Sequence, residues 1–139
     1  VKFPELERPA GKFMNNYSLG DFLIRVKNAS MAGQKDVVAT PKNKLILSAA
    51  KALKEAGFID KIAEKDGQLL VALTFKDKKP MMMGLTLISR PGLRIYMKSN
   101  EIAKKKGPAT LIISTPKGIV TSKRAVKEVL GGEVIAEIW

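Results

Sequence analysis

The stretch Ser114-Thr115-Pro116-Lys117-Gly118 places two hydroxyls, a proline, a lysine and a glycine between two short runs of strand-forming residues. Serine and threonine hydroxyls both donate and accept hydrogen bonds, so they suit base edges, phosphates or 2′-hydroxyls. Lys117 adds a mobile cation, and Gly118 allows close approach of backbone. The same five residues also make an ordinary Ser/Thr-rich hairpin turn, and the stretch alone leaves both readings open. Arg90-Pro91-Gly92-Leu93-Arg94-Ile95-Tyr96 is comparable. Its Pro-Gly turn brings Arg90 and Arg94 close in sequence, and Tyr96 is either a stacking surface for an unpaired base or a half-buried core residue. Lys104-Lys105-Lys106 is a solvated run or a set of phosphate contacts without sequence preference, and Met81-Met82-Met83 reads as adaptable packing.

Catalytic chemistry has little to work with. Histidine and cysteine are absent, which removes the usual zinc ligands, thiol nucleophiles, disulfides and imidazole acid–base catalysis. Asp21, Glu55, Asp60, Glu64 and Asp66 have no spacing that forces two carboxylates together around a cation. Gly118, Gly131 and Gly132 lack the GKS or GKT of a phosphate-cradling loop. No enzymatic activity, cofactor, metal or small-molecule substrate is expected.

Charge points to a different kind of partner. The chain has 139 residues, 25 Lys+Arg against 13 Asp+Glu, and a net charge of +12. Such an excess costs stability through self-repulsion and is offset by a polyanion, most commonly nucleic acid, whose neutralised phosphates release counterions. Residues 1–78 hold 14 basic and 9 acidic side chains (+5), residues 79–139 hold 11 and 4 (+7), so the main contact is expected in the second part. With 45% apolar residues the chain can bury a core, and no run approaches a membrane span. The chain opens on Val1 and nothing there reads as a signal peptide; a soluble intracellular protein with no membrane partner is expected.

The elements that must position these residues follow from periodicity. Residues 1–14, with Pro4, Pro9 and Gly11, read as an extension or arm. Ser18 and Asp21 resemble a capping box, followed by Leu19, Phe22, Leu23 and Val26 on one helical face, with Arg25, Lys27 and Asn28 on the other. Val37–Thr40 reads as a strand ended by Pro41, and Asn43 caps a second helix with Leu45, Ala49, Ala52, Leu53 and Ala56 inward and Gly57 as its stop. Asp66-Gly67 turns a hairpin whose second strand puts Leu69, Val71, Leu73 and Phe75 on one face. Lys76–Pro80 reads as a charged linker. Beyond it come strands at 85–89, 93–97, 110–114 and 118–120 and a helical turn near Ser99. A short helix over 121–130 stopped by Gly131-Gly132 precedes a last strand with Val134, Ala136 and Ile138 alternating. The expected class is α+β. An arm at 1–14 and an N-terminal helix–strand–helix–hairpin unit at 15–78 precede a mainly β RNA-binding unit at 79–139 with one short helix.

In this order the pieces resemble a known family. The match rests on Asp21-x-x-x-Arg25-Val26-Lys27-Asn28, Pro41-x-x-Lys44-Leu45 and Glu55-Ala56-Gly57-Phe58-Ile59. It continues through Ser89–Tyr96, Ser114-Thr115-x-Lys117-Gly118-Ile119-Val120-Thr121 and Gly131-Gly132-Glu133. Six collinear motifs over Ser18 to Trp139 make the chain similar to the bacterial type of small-subunit ribosomal protein eight. The resemblance implies a primary binder of small-subunit ribosomal RNA. Such a protein docks on an irregular helix of the RNA's central domain, supports platform assembly and touches neighbouring ribosomal proteins. For bacterial members it also implies repression of translation of their own operon. The implied location is a ribosome, bacterial or else mitochondrial or plastid.

By position, the resemblance implies RNA contacts for Ser114, Thr115 and Lys117, with Glu133 orienting that loop or accepting from the RNA, and for Arg25, Lys27, Asn28 and Lys44. Pro116 departs from the family's second serine, Ala109 from a glycine, and Tyr17-Ser18 from an Asp-Pro. A DNA-compacting protein is the rival class, with residues 1–14 as its minor-groove arm.

Overall fold

In the computed structural model, residues 11–39, 43–90, 92–105 and 107–139 are described. The ends of several expectations lie outside them: residues 1–10 of the arm, Thr40 and Pro41 after the first strand, Pro91 of the turn, and Lys106 of the lysine run.

Helix α1 spans Gly11–Met31, strand β1 Asp36–Ala39, and helix α2 Lys44–Glu55. Strands β2 (Ile59–Lys65) and β3 (Gln68–Leu73) form a hairpin, and β1 pairs with β3, giving the antiparallel order β1-β3-β2. The first helix therefore starts before Ser18 and runs through the expected capping box. From Lys12 to Tyr17 the chain has no proline, so nothing there stops helix from propagating back from the amphipathic part. Leu19, Phe22, Leu23 and Val26 are buried as their spacing requires. In α2 the Asn43 Oδ1 accepts from Ile46 N at 2.8 Å. The helix ends with Gly57 at φ +93 and Phe58 N donating to Leu53 O. Ile46, not Leu45, supplies the first inward side chain of α2; Leu45 is exposed. Asp66 and Gly67 both have positive φ, which closes the β2–β3 turn with the right-handed twist of the strands.

The segment read as a linker is itself a tight hairpin, β4 (Phe75–Lys76) and β5 (Lys79–Pro80). Asp77 and Lys78 take left-handed conformations at its tip, and no glycine advertises them. Next come β6 (Leu85–Leu87), β7 (Tyr96–Met97), helix α3 (Ser99–Lys104), β8 (Thr110–Thr115), β9 (Gly118–Thr121), helix α4 (Ser122–Lys127) and β10 (Gly132–Ile138). The turn expected at Ser99 is thus a six-residue helix in addition to the one after Thr121. The second sheet has the order β6-β10-β8-β9, with β7 pairing on the first residues of β10.

This sheet has two working faces. Leu85, Ile112, Ile119, Ala136 and Ile138 join one core with α1, α2 and the first sheet. Leu111, Ile113, Val120 and Val134 face the other way and bury Ile102 of α3 and Ala125 of α4. Each fully buried aliphatic side chain contributes about 1.5–3 kcal/mol. The C-terminal sheet is consequently a rigid middle layer, suited to holding side chains at its edge. No helix among the described residues is long and apolar enough to cross a membrane.

Candidate nucleic-acid interface

Register brings the separate motifs of the second part together. Tyr96 on β7 pairs with Glu133 on β10, Glu133 pairs with Ser114 on β8, and Ser114 pairs with Ile119 on β9. Directly opposed residues share a sheet face, so Tyr96, Glu133 and Ser114 form one row. Ile119, the fourth member, is buried in the larger core, so the row begins where that core ends. Tyr96 is 67% exposed, presenting its ring to solvent. Glu133, with its side chain only 16% exposed, holds the Arg94 guanidinium at 3.1 Å. Arg94 is thereby oriented beside the row.

Two glycines make this row possible. A Cβ on Gly132 would collide with the carbonyl of Ser114, and one on Gly131 would lie 2.8 Å from Met97 O. The Gly-Gly-Glu segment threads between the end of β7 and the end of β8, which only bare backbone permits. By sequence, its glycines read as the stop of the preceding helix. That stop falls earlier: Val129 takes φ +55 and Leu130 N donates to Ala125 O, so the glycines are needed for close approach.

The loop between β8 and β9 is held from inside. Thr115 is buried; its hydroxyl donates to Gly118 O at 2.8 Å and accepts from Lys117 N at 3.1 Å. Its donor capacity is therefore engaged by the loop itself. Gly118 has φ +112, a region that side-chain-bearing residues rarely enter. Pro116 and Lys117 are exposed at the tip, and Ser114 is half-buried at the start. From outside, Ser48 of α2 accepts from Ile119 N at 3.0 Å. Nothing in its local sequence sets Ser48 apart from any other helical serine. Lys44 lies one turn earlier on the same side of α2 and is exposed.

Arg90 is exposed on the neighbouring turn. Its backbone exchanges two hydrogen bonds with Leu93, and Gly92 sits at φ +91. Ser89 Oγ accepts from Ile95 N at 2.9 Å and staples this turn to the strand that leads to Tyr96. Lys105, from the lysine run, pairs with Glu137 at 3.2 Å. Arg124 of α4 joins Glu128 at 2.8 Å and Glu55 of α2 at 3.3 Å, which ties the first half of the chain to the second. Its hydrogen bond is the main reason the Glu128 carboxyl lies below its usual range, and nearby Lys117 and Lys127 add to the effect.

Arg25, Lys27 and Asn28 belong to a different surface. Arg25 Nη1 donates to Val38 O on β1 at 3.0 Å, and Arg25 and Asn28 line a cleft of about 610 Å³ between α1 and β1. Asn28 is exposed and Lys27 half-buried. Asp21 lines the same cleft; burial pushes its carboxyl above the usual range, and the Arg25 charge opposes that shift. No group of three or more His, Cys, Asp or Glu side chains able to hold a metal occurs among the described residues.

The Ser114 hydroxyl, two guanidinium groups, an exposed ring and a lysine thus lie close together at one end of the C-terminal sheet, groups of the kind that contact phosphates and unstacked bases. The family model of ribosomal protein S8 matches residues 18–139. The small ribosomal subunit protein uS8 of Mycoplasmopsis synoviae is 40% identical over 127 residues, covering 87% of this chain and 96% of that protein. The uS8c protein of Guillardia theta is 40% identical over 133 residues, covering 91% and 100%. The uS8 protein of Syntrophomonas wolfei is 39% identical over 127 residues, covering 87% and 96%. The chain belongs to the ribosomal protein S8 family. At the level of that family it is a structural constituent of the small ribosomal subunit that binds ribosomal RNA and acts at the ribosome in translation. The family is generally structural rather than enzymatic.

Proposed function

We propose that this chain docks on an irregular helix in the central domain of the small-subunit RNA and supports assembly of the platform. The observation that carries this reading is the single row Tyr96–Glu133–Ser114 beside the Thr115–Gly118 loop. Irregular RNA is read where bases are unstacked, and a rigid row of a ring, a hydroxyl and an anchored guanidinium fits such a site. Ser114 reads a polar group of the RNA, Tyr96 stacks, and Arg90, Arg94 and Lys117 contact phosphate. Thr115, Gly118 and Glu133 act by giving the loop and Arg94 their shape. Lys44 extends this surface, while Arg25, Lys27 and Asn28 form a second contact on the α1–β1 side. Residues 79–139 accordingly carry the main RNA-binding surface and 15–78 its support, with neighbouring ribosomal proteins as further partners. Repression of the chain's own messenger would use the same surface on a similar RNA hairpin.

The test compares Ser114→Ala and Lys117→Ala on the cognate RNA helix and on a plain duplex. Loss of the Ser114 hydroxyl is expected to cost about 0.5–1.5 kcal/mol on the cognate helix alone. Lys117→Ala should weaken both RNAs alike and flatten the salt dependence by roughly one counterion. Equal losses for Ser114→Ala on both RNAs would remove specific recognition by this loop.

A further inference from the structure

Ser48 is the one side chain of the first half of the chain seen to hydrogen-bond to the loop's flank among the described residues. Strand β9 is the outer strand of the second sheet, with β8 on its inner side. In the β8–β9 hairpin, Thr115 pairs with Gly118 and Ser114 with Ile119. The Ile119 amide has its partner in α2 rather than in β8, with the Ser48 hydroxyl as acceptor at 3.0 Å. The same oxygen lies 3.2 Å from where a Cβ on Gly118 would sit, so α2 rests directly against the residue whose φ of +112 sets the loop's exit.

From this we infer that Ser48 is a positioning residue for RNA recognition: its hydroxyl fixes the β9 side of the Ser114–Gly118 loop and transmits the placement of α2 to the RNA-binding row. The inference rests on the loop being an RNA contact, as proposed above. Both hydrogen bonds of the Thr115 hydroxyl stay within the loop, so they shape it without tying it to another element. Ser48 supplies such a tie, anchoring the β9 side of the loop to a helix whose buried side chains are part of the main core. An oriented loop binds without having to be ordered on contact, which is where preorganisation adds affinity.

Ser48→Ala, Ser48→Thr and Ser114→Ala are compared in the full chain, using a hairpin of the central-domain helix and a plain duplex RNA as probes. Amide hydrogen exchange is followed in the free proteins. Ser48→Ala is expected to weaken the hairpin complex about three- to tenfold, with duplex binding and the salt slope unchanged. Exchange at Ile119 should accelerate while Ile112 and Ile113, deep in the sheet, keep their protection. Ser48→Thr retains the oxygen and should restore both readings. Faster exchange at Ile119 with unchanged hairpin affinity overturns the inference, and so does a uniform loss of protection across the sheet, which would make Ser48 a stability residue only. If Ser114→Ala weakens hairpin binding and Ser48→Ala does not, only the positioning role fails. If neither does, the loop reading fails and takes this inference with it.

Discussion

Arg25, Lys27 and Asn28 come from one turn of a single helix, whereas Tyr96, Glu133 and Ser114 come from three strands far apart in sequence. Both surfaces are polar, and each carries cationic side chains, yet they are held differently. On the α1–β1 side Arg25 is anchored by a bond to a strand carbonyl, and Asp21 sits there partly desolvated. Across the C-terminal sheet the row is fixed by backbone register, by the Arg94–Glu133 pair, by Thr115 inside the loop and by Ser48 outside it. A helix face offers side chains in a fixed order but leaves long ones free to move. At the sheet, the Arg94 and Thr115 side chains are themselves held by partners, which suits specific recognition better than bulk attraction.

The contrast predicts that backbone changes damage the row far more than the helix surface. Gly132→Ala has the largest expected effect. Its methyl group would enter the space of the Ser114 carbonyl, so β10 and β8 must separate where the row crosses them. Overpacking against backbone costs about 1–3 kcal/mol or more, and the expected result is a large fall in melting temperature with loss of hairpin RNA binding. A Gly132→Ala protein with unaltered stability and affinity would show that the row is not set by this close approach. Next in size is Thr115→Val, which keeps the shape and removes the hydroxyl. Lys117 N and Gly118 O lose their shared partner. Both lie near solvent, so about 1 kcal/mol of stability is expected to be lost in denaturant titration. Weaker binding to the hairpin but not to duplex RNA should accompany it; equal weakening on both would count against a shape-reading loop.

The two surfaces also differed in how readable they were. Leu19, Phe22, Leu23 and Val26 follow the helical period, so the inward and outward sides of α1 are local information. Asn43, Gly57 and Asp66-Gly67 likewise announce their cap, stop and turn through local backbone chemistry. The row is not local. The sequence marks Ser114, Glu133 and Tyr96 one by one, but their adjacency depends on the register of three strands, including a shift between Val134 and Ala136. Gly131-Gly132 illustrates the same limit: a double glycine after a helix signals a stop, while its actual need is a neighbour that arrives from elsewhere in the chain. Ser48 carries no local signal because its partner, Ile119, lies 71 residues away. The tip at Asp77-Lys78 is illegible for the opposite reason, since a lysine at positive φ contradicts its own preference.

The smallest expected effect lies on the helix surface and tests whether its charges are arranged for folding. The Asp21 carboxyl is pushed above its usual range by burial, with Arg25 only partly offsetting the shift. A carboxyl with a folded-state pKa above its unfolded value binds its proton more tightly when folded. Its favourable contribution is full below the unfolded value of 3.8 and is lost as pH rises through the folded value. At neutral pH the ionised Asp21 therefore works against folding. Asp21→Asn should melt slightly above the parent at pH 7, and the gap should close as the pH falls below 3.8, where the parent's carboxyl is protonated in both states. A gap that widens on acidification would mean that Arg25 outweighs desolvation and that Asp21 is a net anchor of this surface. With the expected sign, the helix side retains an ionised group at a cost in stability, whereas Thr115 and Glu133 contribute to holding the row in place.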